Sequence, residues 1–296
     1  MSILISAEDS YLLFFVKSGI KFMDNKDSSI GQWDAEKYHS ISHIQEKWGR
    51  DLINRRKWHR NEIVMDAGCG TGRVTKLLAE KVSKGGMVYA VDIDLNMIQQ
   101  SLKNLANIKN VIVIQSDLVN VQLPRKVDVI FSNAVLHWVS DHKKVFQNFW
   151  KLICDNNSDN NNNSKGGQLL IQYGGQGNLE KVHRLLNQVK ESDEFRDYFI
   201  NWNEPWYFGK PDETRKLLQE IGFKNVNVYL SEASTTFSDR KSYSEFVKAV
   251  VMKPFLEYLP DKKQRSRYLE LFLDKVEQSG LAWILDYMRL NIIAEK

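Results

Sequence analysis

The chain has 296 residues, 43% hydrophobic and 26% charged, with 41 Lys and Arg against 37 Asp and Glu. That is enough for one large globular domain or a domain with a cap, and so mild a positive balance without a long basic block argues against a nucleic-acid arm. Two cysteines, Cys69 and Cys154, form neither a disulfide framework nor a zinc pattern, as suits a reducing cytoplasm.

Taken in order, residues 1–30 read as an N-terminal extension or lid, with Leu12, Phe15, Val16 and Ile20 on one face of a short amphipathic helix. The run Tyr11–Val16 is too short to cross a bilayer and acids precede it, so neither a signal peptide nor a membrane helix is expected. Trp33 and Tyr38 are large aromatics ahead of the first strand, placed either in the core or as a flap over a ligand. A helical stretch then runs to about Arg56, and Arg55-Arg56-Lys57 reads as a solvated helix end.

The first core strand is Glu62-Ile63-Val64-Met65. It runs into Asp66-Ala67-Gly68-Cys69-Gly70-Thr71-Gly72 and then a helix with Val74, Leu77, Leu78 and Val82 at helical spacing. Strand, glycine turn and helix bring backbone N–H groups close to a ligand. Asp92 ends a second strand, Met87–Val91, and lies 20 residues after Gly72, which places its carboxylate to accept hydrogen bonds from ribose hydroxyls. The glycine spacing is G-x-G-x-G, not the G-x-G-x-x-G of dinucleotide folds. Asp66 at its mouth would repel a pyrophosphate and pair with an ammonium. A ligand with ribose, adenine and a cationic amino-acid tail fits that field.

Further strands follow at Val111–Ile114, Val127–Phe131 and Gln168–Tyr173, with a helix over Lys143–Cys154. Such alternation implies parallel β-α-β units. Ligands in these sheets sit beyond the carboxyl ends of the strands, so Asp66–Gly72, Asp92, Asp117, Asn133–Trp138 and Tyr173-Gly174-Gly175 are expected to face one crevice. Asp155–Gly167, rich in Asn and Ser, reads as a disordered or long surface loop. An aromatic stretch comes next, and Pro211 and Gly222 bracket a helix. Phe223–Leu230 is a sixth strand. Two helices, about Ser242–Tyr258 and Asp261–Gln278, precede a last strand at Asp286–Ala294. The expected fold is α/β: a doubly wound, seven-stranded, mostly parallel Rossmann-like sheet with a helical cap inserted between the last two strands. Its division is an extension at 1–30, a cofactor-binding core at 31–175, an aromatic-rich connection at 176–225, and the last strands at 226–296 with a cap at 234–282.

The D-x-G-x-G-x-G turn resembles motif I of class I S-adenosylmethionine-dependent methyltransferases. Together with the Trp33/Tyr38 lead-in, Asn133-Ala134-Val135-Leu136-His137-Trp138-Val139, Glu245–Lys248 running into Pro254-Phe255-Leu256, and Arg289–Ala294, the chain resembles the trans-aconitate 2-methyltransferase family. That resemblance implies S-adenosyl-L-methionine as cofactor. Asp66, Gly68, Cys69, Gly70 and Gly72 would hold its methionyl part, Asp92 its ribose, Ile93 and Met97 its adenine face, and Asp117 its amino group with Leu118 alongside. Asn133 and Ala134 would close the floor near the sulfonium, under Trp33 and Tyr38.

Trp138, Tyr173, Trp202, Trp206 and Tyr207 are candidates for the acceptor pocket, though core packing accounts for some of them. His137 is the candidate catalytic residue, a base if the acceptor is a phenol or amine, and otherwise a structural histidine. A carboxylate acceptor, ionised near pKa 4, needs no base. Arg289, on the strand face opposite Met288, Leu290 and Ile292, offers a fork suited to a carboxylate, and the resembled family places an arginine there. The expected activity is O-methylation of a small carboxylic acid. Alternatives are C- or N-methylation of a lipid or secondary metabolite, and a non-catalytic cofactor-binding protein. No metal, nucleic acid or membrane is expected as partner, and the chain is expected to be a cytoplasmic monomer or homodimer.

Overall fold

The computed structural model describes residues 13–14, 33–83, 85–155, 166–281 and 283–296. The residues proposed for an amphipathic helix before residue 21, and residues 156–165 of the Asn-rich loop, lie outside these. Strand β1 (Leu13–Phe14) precedes helices α1 (Ala35–Ile41) and α2 (His43–Ile53). The core then alternates β2 (Ile63–Ala67), α3 (Arg73–Lys81), β3 (Met87–Asp92), α4 (Leu95–Asn104), β4 (Val111–Gln115), β5 (Val129–Asn133), α5 (His142–Leu152) and β6 (Gln168–Gly174). Next come α6 (Glu180–Lys190), α7 (Pro211–Ile221), β7 (Lys224–Glu232), the short β8 (Thr235–Thr236), α8 (Arg240–Val250), α9 (Lys253–Tyr258), α10 (Lys262–Ser279), β9 (Ile284–Leu285) and β10 (Met288–Glu295).

The sheet order is β1-β4-β3-β2-β5-β6-β10-β7. The seven expected strands are all present, and β1 adds an antiparallel pair at the β4 edge. Strands β4 to β6 are parallel, whereas β10 runs antiparallel to both β6 and β7. The chain reverses its direction of travel across the sheet between β2 and β5, which opens a crevice at their carboxyl ends.

The apolar strand runs are buried on both faces because helices cover both. Along β2, Ile63, Met65 and Ala67 enter one core with Tyr89, Phe146, Phe149 and Ile292, while Val64 enters the other with Leu52, Leu78, Val88 and Phe131. Side-chain oxygens start several helices by accepting backbone N–H groups: Asp94 from Met97 at 2.9 Å, Asp141 from Lys144 at 2.9 Å and Asp261 from Gln264 at 2.9 Å. Each such cap contributes about 1 kcal/mol.

The cap has its own core. Tyr243, Phe246, Phe255, Tyr268, Phe272 and Val276 from α8–α10 pack with Val182 and Leu186 of α6 and with Phe195 and Phe199. The Tyr268 hydroxyl donates to the Leu186 carbonyl at 2.8 Å. The cap therefore draws on chain before β7 as well as on the insertion between β7 and β10. Lys253-Pro254 opens α9, with Val251 and Met252 between it and the end of α8.

In the Arg55-Arg56-Lys57 cluster, Arg55 and Lys57 are exposed, as expected of a solvated helix end, but two of the three side chains also make specific contacts. Arg56 forms a two-pronged pair with buried Glu62, at 2.6 and 3.0 Å. Arg55 reaches Asn291 of β10 at 2.5 Å and the Tyr229 hydroxyl at 2.9 Å, tying α2 to the far strands. No helix among the described residues is long and apolar enough to cross a membrane.

Candidate active site

The carboxyl ends of β2, β3 and β5 open onto a cavity of about 240 Å³, closed on the other sides by α1, α2 and the start of β10. The glycine turn forms its floor. Gly68 has φ of +81°, and a Cβ there would lie 2.2 Å from a Val135 methyl, so only glycine fits. At Gly70, φ +54°, a Cβ would meet nothing within 4 Å, which leaves an open cradle of backbone. Asp92 sets the loop by accepting from the Gly70 N–H at 2.8 Å and from the Asp94 N–H at 3.0 Å.

Asp66 is 2% exposed and accepts from the Thr75 hydroxyl at 2.6 Å. Burial, with the neighbouring Asp92 charge, pushes Asp66 up to about 7. Burial likewise raises Asp92 to about 6, against the opposing effect of its backbone donors. Two carboxylates raised in this way favour a cationic ligand.

Trp33, Tyr38, Cys69, Ile93 and Met97 also line the cavity, as do Asn133 and Ala134. Trp33 is anchored by its N–H to Asp94 at 3.0 Å and by its carbonyl, which accepts from Asn96 at 2.8 Å. Its ring meets Tyr38 at 5.5 Å and Trp138 at 5.6 Å, both edge-on. Ala134 has φ of +61°, an uncommon conformation for a residue with a side chain, and its N–H donates to the Gln172 carbonyl at 2.8 Å. Gly72 starts α3 behind the floor, against Leu105. Asp117 and Leu118 do not line the cavity: Asp117 is exposed and caps its own turn by accepting from the Val119 N–H, and Leu118 is buried in the main core.

Trp138, His137 and Arg289 line the cavity, and Tyr173, Trp202, Trp206 and Tyr207 do not. Tyr173 lies within β6, fully buried in the main core with its ring on His142. Trp202 stacks on Phe255 at 4.6 Å within the cap, and Trp206 stands behind Trp138 at 5.7 Å. Tyr207 is exposed and packs on His142 at 4.5 Å.

His137 accepts from the Gly174 N–H through Nδ1 at 3.4 Å, which assigns the ring hydrogen to Nε2. Burial first, then Arg289 and His142, hold its pKa well below the usual imidazole value. Its ring is therefore neutral near pH 7. Arg289 is 2% exposed, and its Nε and Nη2 have no hydrogen-bond partner among the described residues. Its guanidinium lies over the Trp48 ring at 4.4 Å, and burial lowers its pKa to about 10. A buried guanidinium without a counter-charge is costly unless a ligand completes it.

Sequence reasoning did not single out Gln45, Glu46 and Trp48 of α2, Arg73, or Tyr287, all of which line the cavity. Arg73 directly follows the glycine turn, which was the available signal. It pairs with Glu46 at 2.8 Å and donates to the His39 carbonyl.

The cradle at Gly70, the acid at the tip of β3 and the paired carboxylates at its mouth suit a nucleoside bearing cationic groups, and suit a pyrophosphate poorly. S-adenosylmethionine is such a ligand, and this is the site of a class I S-adenosylmethionine-dependent methyltransferase. The chain belongs to the methyltransferase domain family, whose model matches residues 58–207. It is similar to a trans-aconitate 2-methyltransferase of Afipia carboxidovorans, 23% identical over 84% of this chain and 91% of the relative. It is also similar to a juvenile hormone acid O-methyltransferase of Bombyx mori, 23% identical over 89% of this chain and 97% of the relative. Among solved structures, it shares its fold with a phosphoethanolamine N-methyltransferase of Haemonchus contortus in complex with S-adenosyl-L-methionine. That match has a TM-score of 0.55 at 17% identity and covers 88% of this chain, which spans 56% of that longer one.

Proposed function

We propose that this methyltransferase transfers its methyl group to a carboxylate oxygen of a small-molecule acid. The observation that carries this reading is Arg289, a buried guanidinium with two unpartnered nitrogens in the cavity that also holds Asp66 and Asp92. Both curated relatives described above are named for acids.

The cofactor, when bound, supplies a methyl group already activated by a sulfonium. A carboxylate acceptor has an ordinary pKa near about 4 and is ionised at neutral pH. It needs no general base, in keeping with the neutral His137. The tasks left to the chain are positioning and exclusion of water. Arg289 orients the carboxylate through its planar fork. Asp66 and Asp92 hold the cationic and ribose parts of the cofactor, and Trp33, Tyr38 and Trp138 shut out solvent.

In the same reading, residues 31–175 are the cofactor-binding core, 176–225 the connection, and 226–296 the acceptor side with its cap at 234–282. The enzyme is a cytoplasmic monomer or homodimer, and its partner is a small molecule instead of nucleic acid or membrane; the mild charge and the two free cysteines support this.

Replacing Arg289 tests the proposal. Arg289→Met is expected to lower kcat/KM for an acid by about tenfold or more, the worth of a charge-assisted hydrogen bond, with cofactor affinity unchanged. Arg289→Lys, which keeps charge but not the fork, is expected to recover part of the loss. An acid methylated at full rate by Arg289→Met refutes the proposal. So does cofactor affinity falling by the same factor, because the guanidinium would then serve the cofactor's own carboxylate.

A further inference from the structure

The charges around the cavity are unequal in a way that bears on the acceptor. Its walls carry four carboxylates, Glu46, Asp66, Asp92 and Asp94, and two guanidiniums, Arg73 and Arg289. Arg73 is matched by Glu46 at 2.8 Å. Lys253 approaches from the cap to stand over the Trp33 ring at 5.0 Å, but it pairs with Glu257 at 2.5 Å. Arg73 keeps an unpartnered Nε directly after the glycine turn, where it would serve the cofactor's own carboxylate, so among the described residues lining the cavity Arg289 is the cation left for an acceptor.

A second donor stands beside it. Tyr287 precedes β10 on the same face as Arg289, its ring meets Trp48 edge-on at 4.8 Å, and its buried hydroxyl has no hydrogen-bond partner among the described residues. Trp48 thus backs both groups, with Arg289 over its face and the Tyr287 ring packed perpendicular to its own. Of the other unpartnered buried polar atoms in the cavity wall, Gln45 Oε1 and Asn133 Oδ1 are acceptors, which offer nothing to a further carboxylate, and Arg73 Nε is a donor beside the glycine turn. The remaining wall is apolar or aromatic, with Trp33, Trp138, Val135 and Val250.

We infer that the acceptor is a monocarboxylic acid with an apolar body, its single carboxylate held by Arg289 and the Tyr287 hydroxyl and its body lodged against Trp33, Trp138 and Val250. This rests on the carboxylate reading above and narrows it. One carboxylate meets one free fork and one hydroxyl. A second would be stripped of water with no cation to replace it, and would face acids and amide oxygens. A polycarboxylate such as trans-aconitate, with three carboxylates, is therefore disfavoured here, whereas an apolar chain gains from leaving water against the tryptophans.

The test is an acceptor panel on the full-length enzyme with S-adenosylmethionine, scored by methyl ester mass and S-adenosylhomocysteine release. The panel holds straight-chain monoacids from hexanoate to dodecanoate, the matching diacids, trans-aconitate, and the matching neutral alcohols. The best monoacid is expected to exceed its diacid and trans-aconitate in kcat/KM by about tenfold or more. Tyr287→Phe is expected to raise the KM for that monoacid by about tenfold, as for a hydrogen bond to a charged group, with cofactor affinity unmoved. Diacids or trans-aconitate turned over as well as the monoacids overturn this inference and leave the carboxylate reading standing. An unchanged KM in Tyr287→Phe removes Tyr287 from the anchor and overturns the inference as stated. Alcohols methylated in preference to every acid, or no acid methylated at all, overturn both.

Discussion

Cofactor affinity should fall steeply with acid, and the structure fixes both the sign and the scale. Asp66 and Asp92 titrate at about 7 and about 6, raised chiefly by burial. A ligand bearing an ammonium and a sulfonium binds their ionised forms better. Affinity is then full above the raised values and is lost as pH falls through them. One pKa unit corresponds to about 1.36 kcal/mol, or tenfold, for each group that must give up its proton. At about pH 5 the cost is about tenfold for Asp92 and about hundredfold for Asp66, so the pair, which titrates as a unit, sets a ceiling near about a thousandfold. Titration calorimetry between about pH 5 and about pH 7.5, below the ligand's own α-amino range, measures this. Repeating it in buffers of different ionisation enthalpy counts the protons released. Folding linkage has the opposite sign in the free protein. Because the folded carboxyls bind protons more tightly than unfolded ones, stability falls as pH rises from about 4 to about 7, and the cofactor-induced rise in Tm should grow over the same window. Affinity constant across the range, or protons taken up on binding, refutes the reasoning.

Two further outcomes are expected. Asp92→Ala removes the acceptor of the Gly70 and Asp94 N–H groups, and should weaken S-adenosylmethionine binding about tenfold or more, at the lower end of a charge-assisted hydrogen bond; calorimetry showing wild-type affinity would remove Asp92 from the site. Replacing residues 156–165 with a short Gly/Ser turn, while keeping Asp155 with its Lys126 and Lys296 partners, should leave cofactor affinity and Tm unchanged, because loop-closure entropy varies slowly with length; a drop of several degrees in Tm would show that the segment is an ordered element.

What could be read from the sequence was local. The β2–glycine–α3 unit declares itself through an apolar run, three glycines at alternate positions and a helical period, all within about 20 residues, and Asp92 follows from the next strand end. Arg289 was legible because β10 alternates strictly, so Leu290 and Ile292 entering the main core put Arg289 and Asn291 on the other face. The features that escaped depend on chain far away in sequence. Arg55 finds its partners Tyr229 and Asn291 at separations of 174 and 236 residues, and no local pattern distinguishes it from a solvated arginine. Trp48 looks like any apolar position of an amphipathic helix until Arg289 and Tyr287 arrive against it. Tyr173 shares the face of β6 that carries Leu169 and Ile171 into the main core, and its ring ends on His142, so its place after the strand run misled the reading of a crevice residue. The cap's reliance on α6 was hidden for the same reason, since Val182 and Leu186 show a buried face without naming what buries it.

The reversed direction of β10 is what brings a buried guanidinium to the same edge of the sheet as two buried carboxylates. In a parallel strand the residues at the crevice edge are the last ones, whereas in β10 they are the first, with Arg289 opposite Gly174 at the carboxyl end of β6. A late segment thereby delivers a guanidinium to the edge where β2 and β3 deliver Asp66 and Asp92. Three strand spacings separate β2 from β10 in the sheet order, about 14 Å at about 4.8 Å each. Across that distance opposite unit charges attract by about 1 kcal/mol at an effective dielectric constant of about 20, too little to compensate either for its burial. Neighbouring strands would instead have let Arg289 and Asp92 form a closed ion pair, leaving neither free for a ligand. The separation keeps the acids available to the cofactor's cationic groups and the guanidinium available to an anion, and the space between them is where a methyl group would pass from one ligand to the other.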